Sequence, residues 1–180
     1  MATKRAQLDQ VLSGTSFGVD FNPTVDRLRI VSDTGQNLRA NVDTGATLVD
    51  GALNTVGAVA NGVVGAAYTN NDTDPATGTT LYDIDAALDQ VVLQSPPNAG
   101  GLSPVGALGV DAVGEVGFDL YSDVRVQGST STTTDLTGWA TLDVGGVTGL
   151  YDITPFSGRA RFVGAVDVDA VDLTFPLQQH

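Results

Sequence analysis

The chain has no cysteine. Disulfide frameworks, thiolate zinc sites and cysteine nucleophiles are therefore excluded, yet an extracellular location stays open, because 180 residues bury enough surface to fold without bridges. The one histidine is His180, the last residue, which removes Ser-His-Asp triads and imidazole metal clusters. Glutamate is limited to Glu115, and the other twenty acidic residues are aspartates. Asp favours turns and caps where Glu favours helix interiors, so this acid belongs at chain reversals. Lys and Arg number 8 against 21 acids, for a net charge of −13. A surface of that sign repels phosphate backbones, which argues against nucleic acid as a partner and suits calcium or basic surfaces better. Long apolar runs are also missing. No stretch reaches the roughly 18 residues a membrane helix needs, so membrane insertion is not expected. At the start, MATKRAQLDQVL sets Gln7, Asp9 and Gln10 where a signal peptide needs an apolar core. The compartment is either the cytoplasm or one reached by a signal that has been removed.

What the chain does have is glycine, 22 residues of it, with many Thr, Val and Asn, a composition for short strands joined by tight turns. The strands repeat. SFGVDFNP (16–23), VVGAAYTN (63–70) and EVGFDLYS (115–122) each carry a glycine at the same place, Gly18, Gly65 and Gly117. A strand with Leu38, Tyr82 or Tyr151 follows, and after its turn come ATLVDGAL (46–53), LSPVGALGVDA (102–112) and ARFVGAVDVDA (160–170). Between the first and third members lies DRLRIVSD (26–33), with Leu28 and Ile30 on one face and Arg27, Arg29 and Val31 on the other. Its counterpart in the third unit is GWATLDV (138–144), preceded by the insertion DVRVQGSTSTTTDLTG. Four strands in about 45 residues is the count for a propeller blade. The fold expected is all-β and propeller-like, with three four-stranded blades and an extra C-terminal strand at 171–175. Residues 1–11 form a leader, a short helix or a tail, 12–175 a single repeat domain, and 176–180 a tail.

LSGTSFGVDFNPTVDRLRIVSDTGQNLR (12–39), AAYTNN (66–71), TLYDID (80–85), PPNAGGLSPVGALGVD (96–111), GFD (117–119) and VGGVTGLYDI (144–153) together resemble a family of bacterial domains of unknown function, over about Leu12 to Val166. The resemblance implies an exported, propeller-like domain with no established activity and no catalytic residues to transfer. Members of that family usually begin with further repeats, where this chain has its leader.

Several residue groups bear on chemistry. Asp20 and Asp119 hold equivalent positions two residues after Gly18 and Gly117, where repeat two has Ala67. If these strands are innermost, both carboxylates face a central channel, as ligand-binding groups or as acceptors that hold neighbouring amides. TNNDTDPATG (69–78) alternates Asn70, Asp72 and Asp74 as oxygen ligands do around calcium, although it lacks the glycine and terminal glutamate of an EF-hand loop and reads more simply as a hairpin turn. Asp83 with Asp85, and Asp167 with Asp169, share strand faces and are expected to be solvated or turn-bonding. Arg27, Arg29 and Arg39 are expected to pair with nearby aspartates, and Trp139, Phe156 and Phe162 to pack between blades.

The function expected is a non-enzymatic structural or interaction module that assembles through open blade edges, as a homodimer or a filament. The alternative is a propeller-type carbohydrate-binding protein or hydrolase using channel carboxylates. Calcium is the one cofactor the sequence suggests.

Overall fold

The structure, a computed structural model, describes residues 4–70, 77–127, 130–168 and 170–175. Among them there is no α-helix, only strands and a 3-10 turn at Pro97–Ala99. Sheet I comprises β1 (Phe17–Asn22), β2 (Arg27–Ser32), β3 (Asn37–Ala40) and β4 (Thr47–Val49). A small hairpin, β5 (Asn54–Thr55) and β6 (Ala58–Val59), leads to sheet II, which holds β7 (Val63–Tyr68), β8 (Leu81–Asp85), β9 (Gln90–Gln94) and β10 (Leu102–Ala107). Sheet III holds β11 (Val113–Gln127), β12 (Thr130–Val144), β13 (Val147–Ile153) and β14 (Ala160–Ala165). Each is an antiparallel meander in chain order.

Asn and Asp make the reversals, as their abundance suggests. Asn41 takes the Asp43 and Thr44 N–H groups ahead of Gly45, and Asp85 takes those of Ala87 and Leu88. Asp143 bonds the Gly146 N–H, 2.9 Å, at the end of a turn whose Gly145 and Gly146 have φ of 64° and 80°.

The sheets stack face to face, and strand alternation decides which core each residue enters. On β8, Leu81 packs toward sheet I while Tyr82 and Ile84 pack toward sheet III. Sheet II is thus covered on both sides, and every residue of β7 and β8 is buried. The first strand of each sheet lies innermost, with β7 packed on β1, β11 on β7, and β1 meeting β11. Sheets I and II come close because Gly18 has no side chain. A Cβ there would lie 2.6 Å from the Gly65 carbonyl carbon.

Residues 4–16 are not helical, and they cover the far face of sheet I. Leu8 packs with Ile30, Leu38 and Ala40, the Asp9 carboxylate accepts the Thr47 N–H at 2.9 Å, and Gln36 links the Val11 C=O to the Ser13 N–H. At the other end, residues 170–175 form no ladder with any strand, in place of the extra C-terminal strand expected.

Two further expectations are corrected, and the insertion gains a structure. Tyr82 lies in the second strand of its sheet, whereas Leu38 and Tyr151 lie in third strands, so the repeats align one strand out of step in the middle unit. The Ser/Thr-rich insertion, to which the sequence assigned no element, is strand over its described residues. It lengthens β11 and β12 into a hairpin arm paired from Tyr121↔Thr137 to Gln127↔Thr130, beyond the Gly138–Val144 stretch that pairs with β13. Phe156, read as a packing residue, is 70% exposed, because it sits in the turn between β13 and β14.

Candidate functional site

At the centre, where β1 and β11 face each other, Asp20 and Asp119 share a cavity of about 180 Å³ with Asp172. Its remaining walls include Val19, Phe21, Leu28, Phe118 and Leu173. The two carboxylates offered by the repeat alignment do therefore meet. Two wider hollows, of about 590 and 370 Å³, are each lined by one carboxylate, Asp167 and Asp33.

Asp20 and Asp119 are bonded in the same way. One oxygen of Asp20 accepts its neighbour's N–H, that of Phe21 at 2.7 Å, and the other accepts the Tyr68 N–H at 2.5 Å from the end of β7. One oxygen of Asp119 accepts the Leu120 N–H at 2.7 Å, and the other accepts the Phe175 N–H at 2.6 Å and the Thr174 hydroxyl at 3.2 Å. Each carboxylate thus ties an innermost strand to the segment that follows it around the centre.

Burial raises the Asp20 pKa to about 8, and the nearby Asp119 and Asp172 add to the rise, while the N–H groups of Tyr68 and Phe21 work against it. Asp172 is also raised, chiefly by burial. A neutral carboxyl beside a second carboxylate is an arrangement that can move a proton.

The calcium candidate is divided. Asp72 and Asp74 lie outside the described residues. Asn70 ends β7's extension with φ 59°, and its side-chain oxygen accepts the Thr133 hydroxyl at 2.7 Å while its backbone N–H donates to the Ser122 hydroxyl at 3.0 Å. It fastens sheet II to the hairpin arm. Among the described residues, no three His, Cys, Asp or Glu side chains are grouped to hold a metal ion.

A polar network between sheets I and II was not legible in the sequence as a unit. Arg29 is fully buried and donates to Asn37 and Asp50, both at 2.7 Å, to Asn98 at 2.9 Å and to the Tyr68 hydroxyl at 3.1 Å. Arg39 binds the same Asp50 through two bonds of 2.7 and 2.8 Å. The expected arginine pairing therefore holds for these two, while Arg27 bonds the backbone carbonyls of Val25 and Asp26. The signal available was Arg29 between Leu28 and Ile30 in a strand whose other face is apolar. Its partners come from residues 8 to 69 positions away, which no local pattern connects. Asp85 bonds its turn as expected, but Asp83 is buried with neither oxygen hydrogen-bonded, and burial raises its pKa well above the ordinary range despite the opposing charge of Arg29.

The family described as Domain of unknown function (DUF4394) matches residues 1–174. The chain belongs to that family. No curated protein and no solved structure matches it. Among the described residues of this DUF4394 domain, no helix is long and apolar enough to cross a membrane.

Proposed function

We propose that the chain is a non-enzymatic, propeller-like interaction module that associates with further copies of itself through the surfaces its sheets leave open. One observation supports this reading. Sheet II has a sheet on each face, whereas sheet III has a sheet on one face and only the segment 170–175 on the other. That outer face carries Tyr121, Trp139 and Leu150, all half-buried. The outer strand β14 adds Phe162, 54% exposed, and β4, the outer strand of sheet I, exposes Leu48 and Val49. Apolar side chains on strands with an unpaired edge are surfaces another chain can cover. Two copies about a two-fold axis double the three sheets to six, within the roughly 4–8 of a propeller ring. A filament built from the same surfaces is the other form of this assembly. Light scattering over a concentration series tests the reading: the expected mass at low micromolar concentration is at least twice the 18.4 kDa of one chain. A single-chain mass throughout removes it.

The carbohydrate-binding or hydrolase reading draws on the raised pKa of Asp20 beside Asp119. Against it, the cavity of about 180 Å³ is smaller than the roughly 300–1,000 Å³ of small-molecule sites, and both carboxylates already accept backbone amides. Hydrolysis of chromogenic glycosides by the native chain, lost in Asp119→Asn, would favour it over assembly.

A further inference from the structure

The contacts that join sheet II to sheet I recur on sheet III, where no fourth sheet follows. At β1, Gly18 admits the backbone of Gly65 and Ala66, and Asp20 accepts the Tyr68 N–H. At β11, Gly117 admits the backbone of Asp172, which a Cβ would approach to 2.7 Å, and Asp119 accepts the Phe175 N–H. Tyr121 meets Phe175 edge-on with ring centroids 6.0 Å apart. Residues 171–175 therefore hold on β11 the place that β7 holds on β1. The likeness stops there. β7 ladders with β8, while 170–175 pair with no strand and stand alone in a place built for the first strand of a sheet.

We infer that this place on β11 is an exchangeable site for an extended peptide segment, and that its partner is the 170–175 segment of a second copy of this chain. The inference rests on the self-assembly reading and names the element exchanged. The recognition chemistry is specific. Asp119 accepts a main-chain N–H, Gly117 gives the incoming backbone room, Tyr121 selects an aromatic side chain, and the Asp172 carboxylate reaches back to the Phe118 N–H. Every chain carries both site and occupant, so a segment donated by a second copy makes the same contacts as the resident one. Little holds the stretch that leads to the resident segment. Val166 still bonds the Thr148 C=O, but from there to Asp172 the main-chain bond among the described residues is a local one, Ala170 N–H to Val168 C=O. Val168 and Val171 are both exposed along the way.

The test replaces Phe175 by photoreactive benzoylphenylalanine in the full chain, which keeps an aromatic ring at the site. Heavy-isotope and light chains are mixed, unfolded, refolded together and irradiated, and the cross-linked peptides are sequenced. Exchange gives heavy-to-light pairs joining residue 175 to the stretch around 117–121, and Asp119→Ala reduces their yield several-fold. Pairs of one label only, or attachment elsewhere, overturn the proposal. Should Asp119→Ala fail to refold, Tyr121→Ala serves as the second variant, with the same reduction expected and an unchanged yield counting against the site. Light scattering on the same samples separates the two readings: an oligomer with same-label pairs keeps the assembly and removes the exchange, and a single-chain mass with same-label pairs removes both.

Discussion

Asp83 of sheet II and Arg29 of sheet I enter the interface between the two sheets from opposite sides, yet they are treated differently there. Each side-chain nitrogen of Arg29 donates to a polar partner, while Asp83 has no hydrogen bond and burial raises its pKa well above the ordinary range. A buried polar group without a partner costs about 1–3 kcal/mol, whereas a buried charge pair broken on one side costs about 3–5 kcal/mol. Asp83→Val fits a strand and removes the unpaired group, so it is expected to raise stability by about 1–3 kcal/mol at neutral pH. Because the folded pKa of Asp83 lies above the ordinary 3.8, the unfolded chain gives up this proton first and the native protein weakens as pH rises above that value. The advantage of the valine variant must accordingly grow from pH 4 upward. Arg29→Met goes the other way, with an expected loss of about 3–5 kcal/mol, because Asn37, Asn98 and Asp50 lose a shared donor. Urea unfolding of both variants checks the pair. An Asp83→Val chain less stable than the native one at pH 7 would mean that the carboxyl has a partner after all.

The strands and their turns could be read from the sequence because their causes are local. β1 and β2 follow from alternation and from the Asn22–Asp26 reversal, where Thr24 bonds the Asn22 side chain. The glycine anchors were legible as a repeat, and the structure supplies the reason: at these points one backbone passes close to the next. The middle unit was misaligned because β9, QVVLQ, is buried in a sheet covered on both faces and shows no alternation to mark it as a separate strand. The hairpin arm was legible only as an insertion, because its Ser and Thr lack the apolar alternation that marks a strand against a core, although paired threonines are good strand residues. Long-range polar contacts, Arg29 to Asn98 above all, leave no mark in either sequence segment. Close approach makes a graded prediction. Gly18→Ala sets a Cβ 2.6 Å from backbone, and Gly117→Ala sets one 2.5 Å from the Thr141 hydroxyl and 2.7 Å from the backbone of Asp172, whereas Gly65→Ala meets nothing closer than the Phe118 Cβ at 3.1 Å. Backbone cannot yield as a side chain can, so the first two are expected to cost at least about 2 kcal/mol and the third clearly less. Thermal melts that rank Gly65→Ala as the worst of the three would refute this account of how the sheets are joined.

For the whole molecule, the burial of aspartates sets how stability depends on pH. Asp20, Asp83, Asp85 and Asp172 all have raised pKa values, each chiefly through burial, and Asp20 reaches about 8. Asp33 is the exception, lowered by its bonds to Thr15. The signs are opposite. A raised carboxyl gives its full contribution below the ordinary 3.8 and loses it as pH climbs to the folded value, since the unfolded chain ionises first. The contribution of Asp33 is lost only in acid, as pH falls below that same range. Between pH 5 and 8 Asp33 adds no slope, because it titrates below that window, so the raised groups set the direction there. The net charge of −13 acts in the same direction through self-repulsion, but salt separates the two causes, since screening reaches surface charges far more than buried ones. In about 0.5 M salt the urea midpoint is expected to fall steadily from pH 5 to pH 8. Asp20→Asn should flatten much of that fall, because the asparagine keeps an acceptor for the Tyr68 N–H and has no proton to lose. Asp119→Asn should shift the fall to lower pH by removing the charge that raises Asp20. A midpoint that is level or rising over this range in high salt would show that the central carboxyls ionise freely, and that the cavity between β1 and β11 is open to water.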